Sequence, residues 1–234
     1  AQTSKLFRKI LRNEQPDLHQ GAFLAALSAK GETPQEIAGA WEAIMELDTN
    51  RAPGIGINEP LVENSGTGMD PFKTFNVSSA AAIIAAAGGA KLTRHGARAL
   101  SSTCGTVDLL EAIGIDMDCD VDTVARSIRE VGLGLFNGMS PMVHPGGLGR
   151  ILSQIRFGST LNIAASLASP CRVDRALRGV HSPEAIPAVA DVMAELGFER
   201  AMIVHGLDGV GNPAMDELST LGESVIRELE QRGP

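Results

Sequence analysis

A glycine-rich turn that leads into an alanine-rich helix is the feature that most restricts how this chain can fold. Residues 66–70 read Gly-Thr-Gly-Met-Asp, residues 73–79 add a row of hydroxyl and amide side chains, and the helix covers residues 80–87. Glycine lets the backbone approach a phosphate closely, and the amides and dipole at a helix N-terminus favour negative charge. The segment therefore predicts an anion site, although a glycine turn with a Ser/Thr cap and no ligand fits the same residues.

A second loop of this kind follows at residues 91–106. It has the pattern of a short strand, then a loop with arginine, histidine and hydroxyl side chains, then a helix with Thr106 as the expected N-cap and Asp108 in the first turn. One helix of buried character separates the two loops, which predicts a β-α-β unit. Because parallel strands end at the same edge of a sheet, we expect both loops to face one ligand.

The first part of the chain has a helical pattern throughout. Residues 3–47 are predicted to form helices, with Phe23, Leu24 and Leu27 at helical spacing. Thr33 is followed by proline and, three residues later, by glutamate, which is the signature of a capping box. The pattern predicts a small helical bundle.

The fold class predicted from the whole chain is α/β. Residues 51–59 hold glycine and proline without periodicity and are predicted to be a linker. We therefore expect an N-terminal helical domain over residues 1–50 and a hinge at about 51–60. A larger α/β domain over residues 61–234 is expected to contain a central, mostly parallel sheet flanked by helices.

Three further elements are predicted in the second half of the chain. A helix is expected to open at Ser182 and to end near Gly197, because Ser-Pro-Glu is a start signal and glycine a stop signal. Residues 200–204 are apolar and predicted to be a buried strand. A short final helix is predicted over residues 223–231.

Composition limits the classes of function. The formal net charge of −8 argues against nucleic acid and anionic membranes as partners. No apolar run reaches the ~18 residues that a membrane span needs. The three cysteines (Cys104, Cys119 and Cys171) are odd in number and form no CxxC pair, which indicates a reducing cytoplasm and no zinc site.

Four ordered motifs together resemble the anthranilate phosphoribosyltransferase family. They are GTGMD at residues 66–70, TFNVSS at 74–79, RHGARALSS at 94–102, and the acidic pair Asp216-Glu217. The family pattern is GTGGD, TFNxST, KHGNRAxSS and a late Asp-Glu pair, and the intervals between the first three motifs fit without gaps. The resemblance extends over nearly the whole chain.

The resemblance implies a Mg²⁺-dependent transfer of the 5-phosphoribosyl group from 5-phosphoribosyl pyrophosphate (PRPP) to an aromatic amine, anthranilate or a related compound. It further implies a role in tryptophan biosynthesis and a cytoplasmic homodimer. Metal binding is assigned to Ser78, Asp216 and Glu217, and no residue is assigned as a covalent catalyst. The residues at donor-binding positions are Gly66, Thr67, Gly68, Asp70, Thr74, Asn76, Ser78, Ser79, Arg94, His95, Gly96, Ser101, Ser102 and Thr106.

Departures from the family pattern concentrate at acceptor positions. Met69 replaces a glycine of the first motif, and Ala97 replaces an asparagine that contacts the acceptor in the family. The family arginine that pairs with the anthranilate carboxylate corresponds to Leu152. The weak acceptor candidates are therefore Ala97, Arg150 and Arg156. The resemblance predicts retained donor binding and an altered acceptor site.

Alternatives to the enzyme remain open from the sequence. A relative that kept the fold and became a ligand-binding or regulatory protein fits the same departures, and nucleoside phosphorolysis ranks last. Asp216 and Glu217 could be a solvated surface pair, because the loop 207–215 before them is longer than the family pattern. Relatives also continue well beyond the position of Pro234, so the α/β domain is expected to be short at its C-terminus.

Overall fold

The computed structural model describes residues 2–52, 54–55, 60–67, 72, 74–99, 104–155 and 157–231. Its helices are α1 (Gln2–Leu11), α2 (Asp17–Lys30), α3 (Pro34–Leu47), α4 (Val77–Ala87), α5 (Thr106–Ala112), α6 (Val121–Val131), α7 (Gly147–Gln154), α8 (Thr160–Ser166) and α9 (Ala185–Glu195). Its strands are β1 (Val62–Gly66), β2 (Leu92–Gly96), β3 (Leu133–Asn137), β4 (Arg175–Gly179), β5 (Arg200–Leu207), β6 (Pro213–Met215) and β7 (Ser224–Glu230). Helices alone precede β1 and strands alternate with helices after it, as the predicted fold class requires. None of the helices in these ranges combines the length and the apolar character that crossing a membrane needs.

The capping box predicted at Thr33 fixes the start of α3. The Thr33 hydroxyl accepts a hydrogen bond from the Glu36 amide at 3.3 Å, and the Glu36 carboxylate accepts one from the Thr33 amide at 2.9 Å. Pro34 occupies the first helical turn, where no N–H group is needed. The start signal and the helices expected over residues 3–47 are both confirmed.

The centre of the sheet is parallel. The strand order is β3-β2-β1-β4-β5-β6, and β7 also pairs with β5. The strands β6 and β7 both run antiparallel to β5. β1 and β2 pair in parallel and are connected through α4, which confirms the predicted β-α-β unit. The carboxyl ends of β2, β1 and β4 therefore lie side by side at one edge of the sheet.

The segment 223–231 contains a strand, so the helix predicted there is wrong. β7 pairs with β5 along its whole length. Its glutamate, leucine and arginine residues are good helix formers in isolation, but pairing with a neighbouring strand overrides that weak preference. The strand predicted at residues 200–204 is confirmed as the first part of β5, and the helix predicted after Ser182 is α9.

The N-terminal helices and the α/β part share one hydrophobic core. Leu24 and Ile44 lie in the same buried cluster as Leu161 of α8 and Ile203 of β5. Leu24 is 0% exposed and Leu27 is 8% exposed. Leu24 and Leu27 pack within the chain, so they are not available to form an interface with a second copy of the protein.

A charged pair is buried inside the sheet near its carboxyl edge. Arg178 of β4 donates to the Glu63 carboxylate of β1 at 2.6 Å and to the Ser65 hydroxyl at 2.7 Å. The side chains of Arg178 and Glu63 are 0% and 1% exposed. Because an unpaired buried charge is very costly, each residue of this pair holds the other in place.

Candidate functional site

One cavity of about 340 Å³ opens at the carboxyl ends of β1 and β2. Of the described donor and metal residues predicted from the sequence, all but Ser79 line it. We call two parts of its wall by fixed names. The strand side consists of Gly66, Ser78, Arg94, Thr106, Asp216 and Glu217. The helical side consists of Met139, Leu152, Asn162, Ala165 and Ser166.

The turn after β1 begins the strand side. The Thr67 amide donates to the Gly179 carbonyl at 3.0 Å, and the Thr67 hydroxyl accepts from the His181 amide at 3.1 Å. These bonds tie the turn to the end of β4. The predicted donor residues Gly68 and Asp70, together with Met69, lie outside the described residues.

The start of α4 contributes polar groups to the same wall. Thr74, Asn76 and Ser78 line the cavity. The Asn76 amide donates to the Cys104 carbonyl at 3.3 Å, which joins the two predicted ligand loops. Ser79 is only 1% exposed and does not line the cavity.

The acidic pair reaches this wall from far along the chain. The Asp216 carboxylate lies so close to Gly66 that a Cβ on the glycine would come within 2.0 Å of it. A Cβ on Gly179 would meet the Asp216 carbonyl oxygen at 1.6 Å. The Ser78 hydroxyl donates to the Glu217 carboxylate at 3.4 Å. The three predicted metal residues are therefore neighbours at the end of β1.

This set of oxygen atoms fits Mg²⁺ better than a transition metal. Mg²⁺ takes one or two carboxylates together with substrate phosphate oxygens and water. Within the described ranges, no group of three or more histidine, cysteine, aspartate and glutamate side chains is arranged to hold a metal. Two carboxylates and a hydroxyl at the entrance to a phosphate loop match the magnesium requirement, and additional ligands have to come from a substrate.

Arg94 is the buried cation of the strand side. It donates to the Asn64 carbonyl at 2.6 Å and to the Thr106 hydroxyl at 3.0 Å, and only 7% of it is exposed. Burial lowers the pKa of Arg94 to about 10, while the charges of Glu217, Glu63 and Asp216 oppose the change. The side chain is still positively charged at neutral pH.

Asp108 organises the second loop. Its carboxylate accepts hydrogen bonds from the Ala99 and Gly105 amides, both at 2.9 Å, and these bonds lower the pKa of Asp108. Asp108 is in the first turn of α5 as predicted, but the N-cap is Gly105, so the prediction of Thr106 as the cap is wrong by one residue. The loop serines Ser101 and Ser102, predicted as donor residues, lie outside the described residues.

Two histidines link the cavity to the end of α3. The Nε2 atoms of His95 and His144 are 3.1 Å apart, and the Nδ1 atom of His144 contacts the Asp48 carbonyl. Since a carbonyl only accepts, His144 carries its proton on Nδ1 and its Nε2 accepts from His95. Burial lowers the pKa of both histidines below the ordinary value. His95 lines the cavity, and His144 supports it from behind.

The altered acceptor positions lie in different parts of the cavity wall. Leu152 belongs to the helical side, and Ala97 lines the cavity directly after β2. Arg150, a predicted acceptor residue, does not line it, because its guanidinium donates to Asp17 at 2.9 Å and to Gln20 at 3.0 Å in the helical segment. Arg156 lies outside the described residues.

Two family models match the chain. The glycosyl transferase family helical bundle domain matches residues 1–47, and the glycosyl transferase family a/b domain matches residues 58–233. The chain belongs to this glycosyl transferase family.

Several relatives in the family are similar over most of the chain. The anthranilate phosphoribosyltransferase of Methanothermobacter marburgensis is 40% identical over 232 residues, which are 96% of this chain and 64% of the relative. The crystal structure of that enzyme from Thermus thermophilus matches with a TM-score of 0.83 and 31% identity over 99% of this chain and 71% of the other. The Saccharomyces cerevisiae enzyme in complex with PRPP and Mg matches with a TM-score of 0.76 and 27% identity, over 92% of this chain and 60% of the other. The chain thus spans just under two thirds of the length of the first curated relatives, at 64% and 63%.

Some residues of this family member's site are not predicted from its sequence. Met139, Ala165 and Ser166 line the helical side because folding brings α8 and the loop after β3 to the same cavity as the ends of β1 and β2, and no local pattern indicates that. Asp48 accepts from the Gly146 and Leu148 amides at the start of α7. Only the polar character of β1, which is unusual for a central strand, signals the buried partner Arg178.

Proposed function

We propose that this chain forms the PRPP-binding part of a Mg²⁺-dependent phosphoribosyltransferase that acts on an aromatic amine. The protein transfers the 5-phosphoribosyl group: the bond from C1 of the ribose to pyrophosphate breaks, a bond from C1 to the amine nitrogen forms, and the amine loses a proton. The observation that carries the proposal is the convergence of Ser78, Asp216 and Glu217 at the end of β1, on the same wall as Arg94.

The strand side supplies the groups that such a donor needs. The start of α4, with the Ser78 hydroxyl, favours a phosphate through its dipole. Arg94 places a fixed positive charge below the second loop, and its two hydrogen bonds keep that charge oriented before a ligand binds. Preorganised charge of this kind stabilises a leaving pyrophosphate without a cost of rearrangement.

Ser78, Asp216 and Glu217 would hold Mg²⁺. When bound, the ion neutralises negative charge on the pyrophosphate. Asp216 and Glu217 are fixed for this task by the close contact of Asp216 with Gly66 and by the bond between Glu217 and Ser78. Asp108 ties Ala99 to Gly105 by accepting hydrogen bonds from both amides.

The names of the relatives support an aromatic amine as the acceptor class, and one neighbour is in complex with PRPP and Mg. A role in tryptophan biosynthesis requires that this amine is anthranilate. A cytoplasmic homodimer is part of the same proposal and rests on the family resemblance. The non-catalytic alternative is not favoured, because the strand side keeps its charged groups Arg94, Asp216 and Glu217 together.

Release of pyrophosphate from PRPP tests the proposal. The full-length protein is mixed with PRPP, Mg²⁺ and a panel of aromatic amines, and pyrophosphate and the ribosylated amine are measured together. We expect equal amounts of both products, and none after chelation of Mg²⁺ or in the Glu217→Gln variant. Turnover that is unaffected by chelation and by Glu217→Gln would refute the assignment.

A further inference from the structure

The helical side of the cavity is apolar. Met139, Leu152 and Ala165 provide hydrocarbon surface, and Leu152 is 9% exposed. The polar groups there are neutral: Asn162 and Ser166. The Asn162 Oδ1 atom accepts from the Ser159 amide and hydroxyl, both at 3.0 Å, so the amide nitrogen is the group that this side chain can offer to a ligand.

The described arginines near the cavity are all engaged by other partners. Among the described lining residues the cations are Arg94 and Arg98. Arg94 donates into the strand side, and Arg98 makes a bidentate pair with Glu111 at 2.5 and 2.6 Å. Arg150 is held by Asp17 and Gln20 outside the cavity. None of these three is directed to the helical side.

The histidines near the cavity, within the part of the chain that the structure describes, do not supply positive charge there either. The lowered pKa values of His95 and His144 leave both rings neutral at pH 7, and burial is the main cause. Asp216 and Glu217 add negative charge to the opposite wall. A carboxylate that is moved from water into such surroundings loses hydration without gaining a cationic partner.

We propose that the acceptor is an uncharged aromatic amine, recognised by its ring on the Leu152 and Ala165 surface and by a hydrogen-bond acceptor that faces Asn162. This inference rests on the proposed function, because it assigns the helical side to the acceptor of that reaction. It excludes anthranilate as the preferred substrate, because anthranilate carries a carboxylate next to its amine.

A matched pair of amines tests the proposal. Anthranilate and 2-aminobenzamide share the ring and the amine, and differ in whether the neighbouring group is a carboxylate or a neutral amide. Binding of each is measured by calorimetry on the full-length protein with Mg²⁺ and pyrophosphate in saturating amounts in place of PRPP, so that no turnover contributes heat. We expect the amide to bind about tenfold or more tightly than anthranilate. Equal affinities, tighter binding of anthranilate or binding of neither compound would overturn the inference.

Two variants separate charge from shape. Leu152→Arg introduces a cation at the helical side and is expected to reverse the preference, so that anthranilate binds about tenfold more tightly than the amide. Leu152→Met keeps an uncharged side chain of similar volume and is expected to keep the wild-type preference. Circular dichroism establishes that both variants are folded. A reversed preference in Leu152→Met, or none in a folded Leu152→Arg, would contradict the role of charge at this position.

Failure of this inference is distinguishable from failure of the proposed function. Titration of PRPP alone, with and without Mg²⁺, reports on the strand side. If PRPP binds with Mg²⁺ and anthranilate is preferred, the inference is wrong and the proposed function stands. If PRPP does not bind, the proposed function fails, and with it the inference that depends on it.

Discussion

The two sides of the cavity use polar residues differently. The strand side places charged groups on and beside the parallel strands: Arg94 within β2, and Asp216 against Gly66 at the end of β1. The helical side is built from α7, α8 and the loop after β3, and it presents Leu152 and Ala165 with neutral polar groups. One wall is suited to phosphates and a metal ion, and the other to a neutral ring.

The difference has a physical origin. Strand ends are fixed by the hydrogen-bond register of the sheet, so each charged group on that side depends on several partners at once. The buried Glu63 and Arg178 inside the sheet depend on each other in the same way. On the helical side a single residue of α7 changes the chemistry, because Leu152 faces the cavity without a network of charged partners. Acceptor recognition can therefore change while donor recognition is kept.

The largest expected effect comes from breaking the buried pair beneath the strand side. Glu63→Gln leaves the Arg178 charge without its anionic partner in a fully buried position. We expect a loss of about 3–5 kcal/mol in the free energy of unfolding. Urea denaturation monitored by circular dichroism measures it.

The control removes both charges together. Because two apolar residues of similar volume can replace a buried pair at little cost, Glu63→Leu combined with Arg178→Leu is expected to recover much of the loss. If Glu63→Gln unfolds at the wild-type urea concentration, the pair does not stabilise the strand side, and the contrast between the two sides is weaker than described.

The next effect is on the strand side itself. Asp216→Asn removes a negative charge from the proposed metal site and keeps the shape of the side chain. We expect Mg²⁺-dependent PRPP affinity to fall about ten- to hundredfold. Asp208→Asn is the control for charge removal in the turn before β6: Asp208 accepts from the Val210 and Asn212 backbone amides, for which asparagine keeps an acceptor oxygen, and from the Asn212 side chain. Equal losses in both variants would show that the loop, and not the carboxylate at the cavity, matters.

Lowering the pH is expected to weaken the contact between the cavity and the end of α3. The folded-state pKa values of His95 and His144 lie below 6.5, their value in an unfolded chain. Below pH 6.5 the unfolded chain therefore binds protons that the folded chain does not, and stability falls as the pH falls. We expect a loss of about 1 kcal/mol per histidine for each pH unit in this window. Urea denaturation at pH 7.5 and 5.5 measures it, and His144→Asn should reduce the difference; a slope unchanged by that substitution would contradict this origin.

A smaller effect is expected in the helical segment, away from both walls. Thr33→Ala removes the hydroxyl that accepts from the Glu36 amide, and we expect a loss of about 1 kcal/mol in stability. Thr33→Ser keeps the hydroxyl and should lose less. PRPP affinity is expected to stay unchanged in both variants. A drop in affinity would mean that the helical segment affects the strand side, contrary to the comparison.

The sequence predicts those parts of the molecule whose signals are local. The Thr33 capping box, the β-α-β unit around α4 and the first part of β5 each depend on neighbouring residues or on regular spacing. The final strand was missed because its residues favour a helix until β5 supplies a partner. The contact between Glu63 and Arg178 and the contact between Arg150 and Asp17 could not be predicted from the sequence, because each joins residues that are far apart in the chain. The motifs indicated the strand side, whereas most of the helical side became evident only in three dimensions.

The most direct test of the central claim is a calorimetric titration of PRPP into the wild-type protein, with and without Mg²⁺. The strand side, with Ser78, Asp216 and Glu217 together at the end of β1, predicts binding that requires Mg²⁺. Equal binding without the metal, or no binding in its presence, would contradict the assignment of this wall to the phosphoribosyl donor.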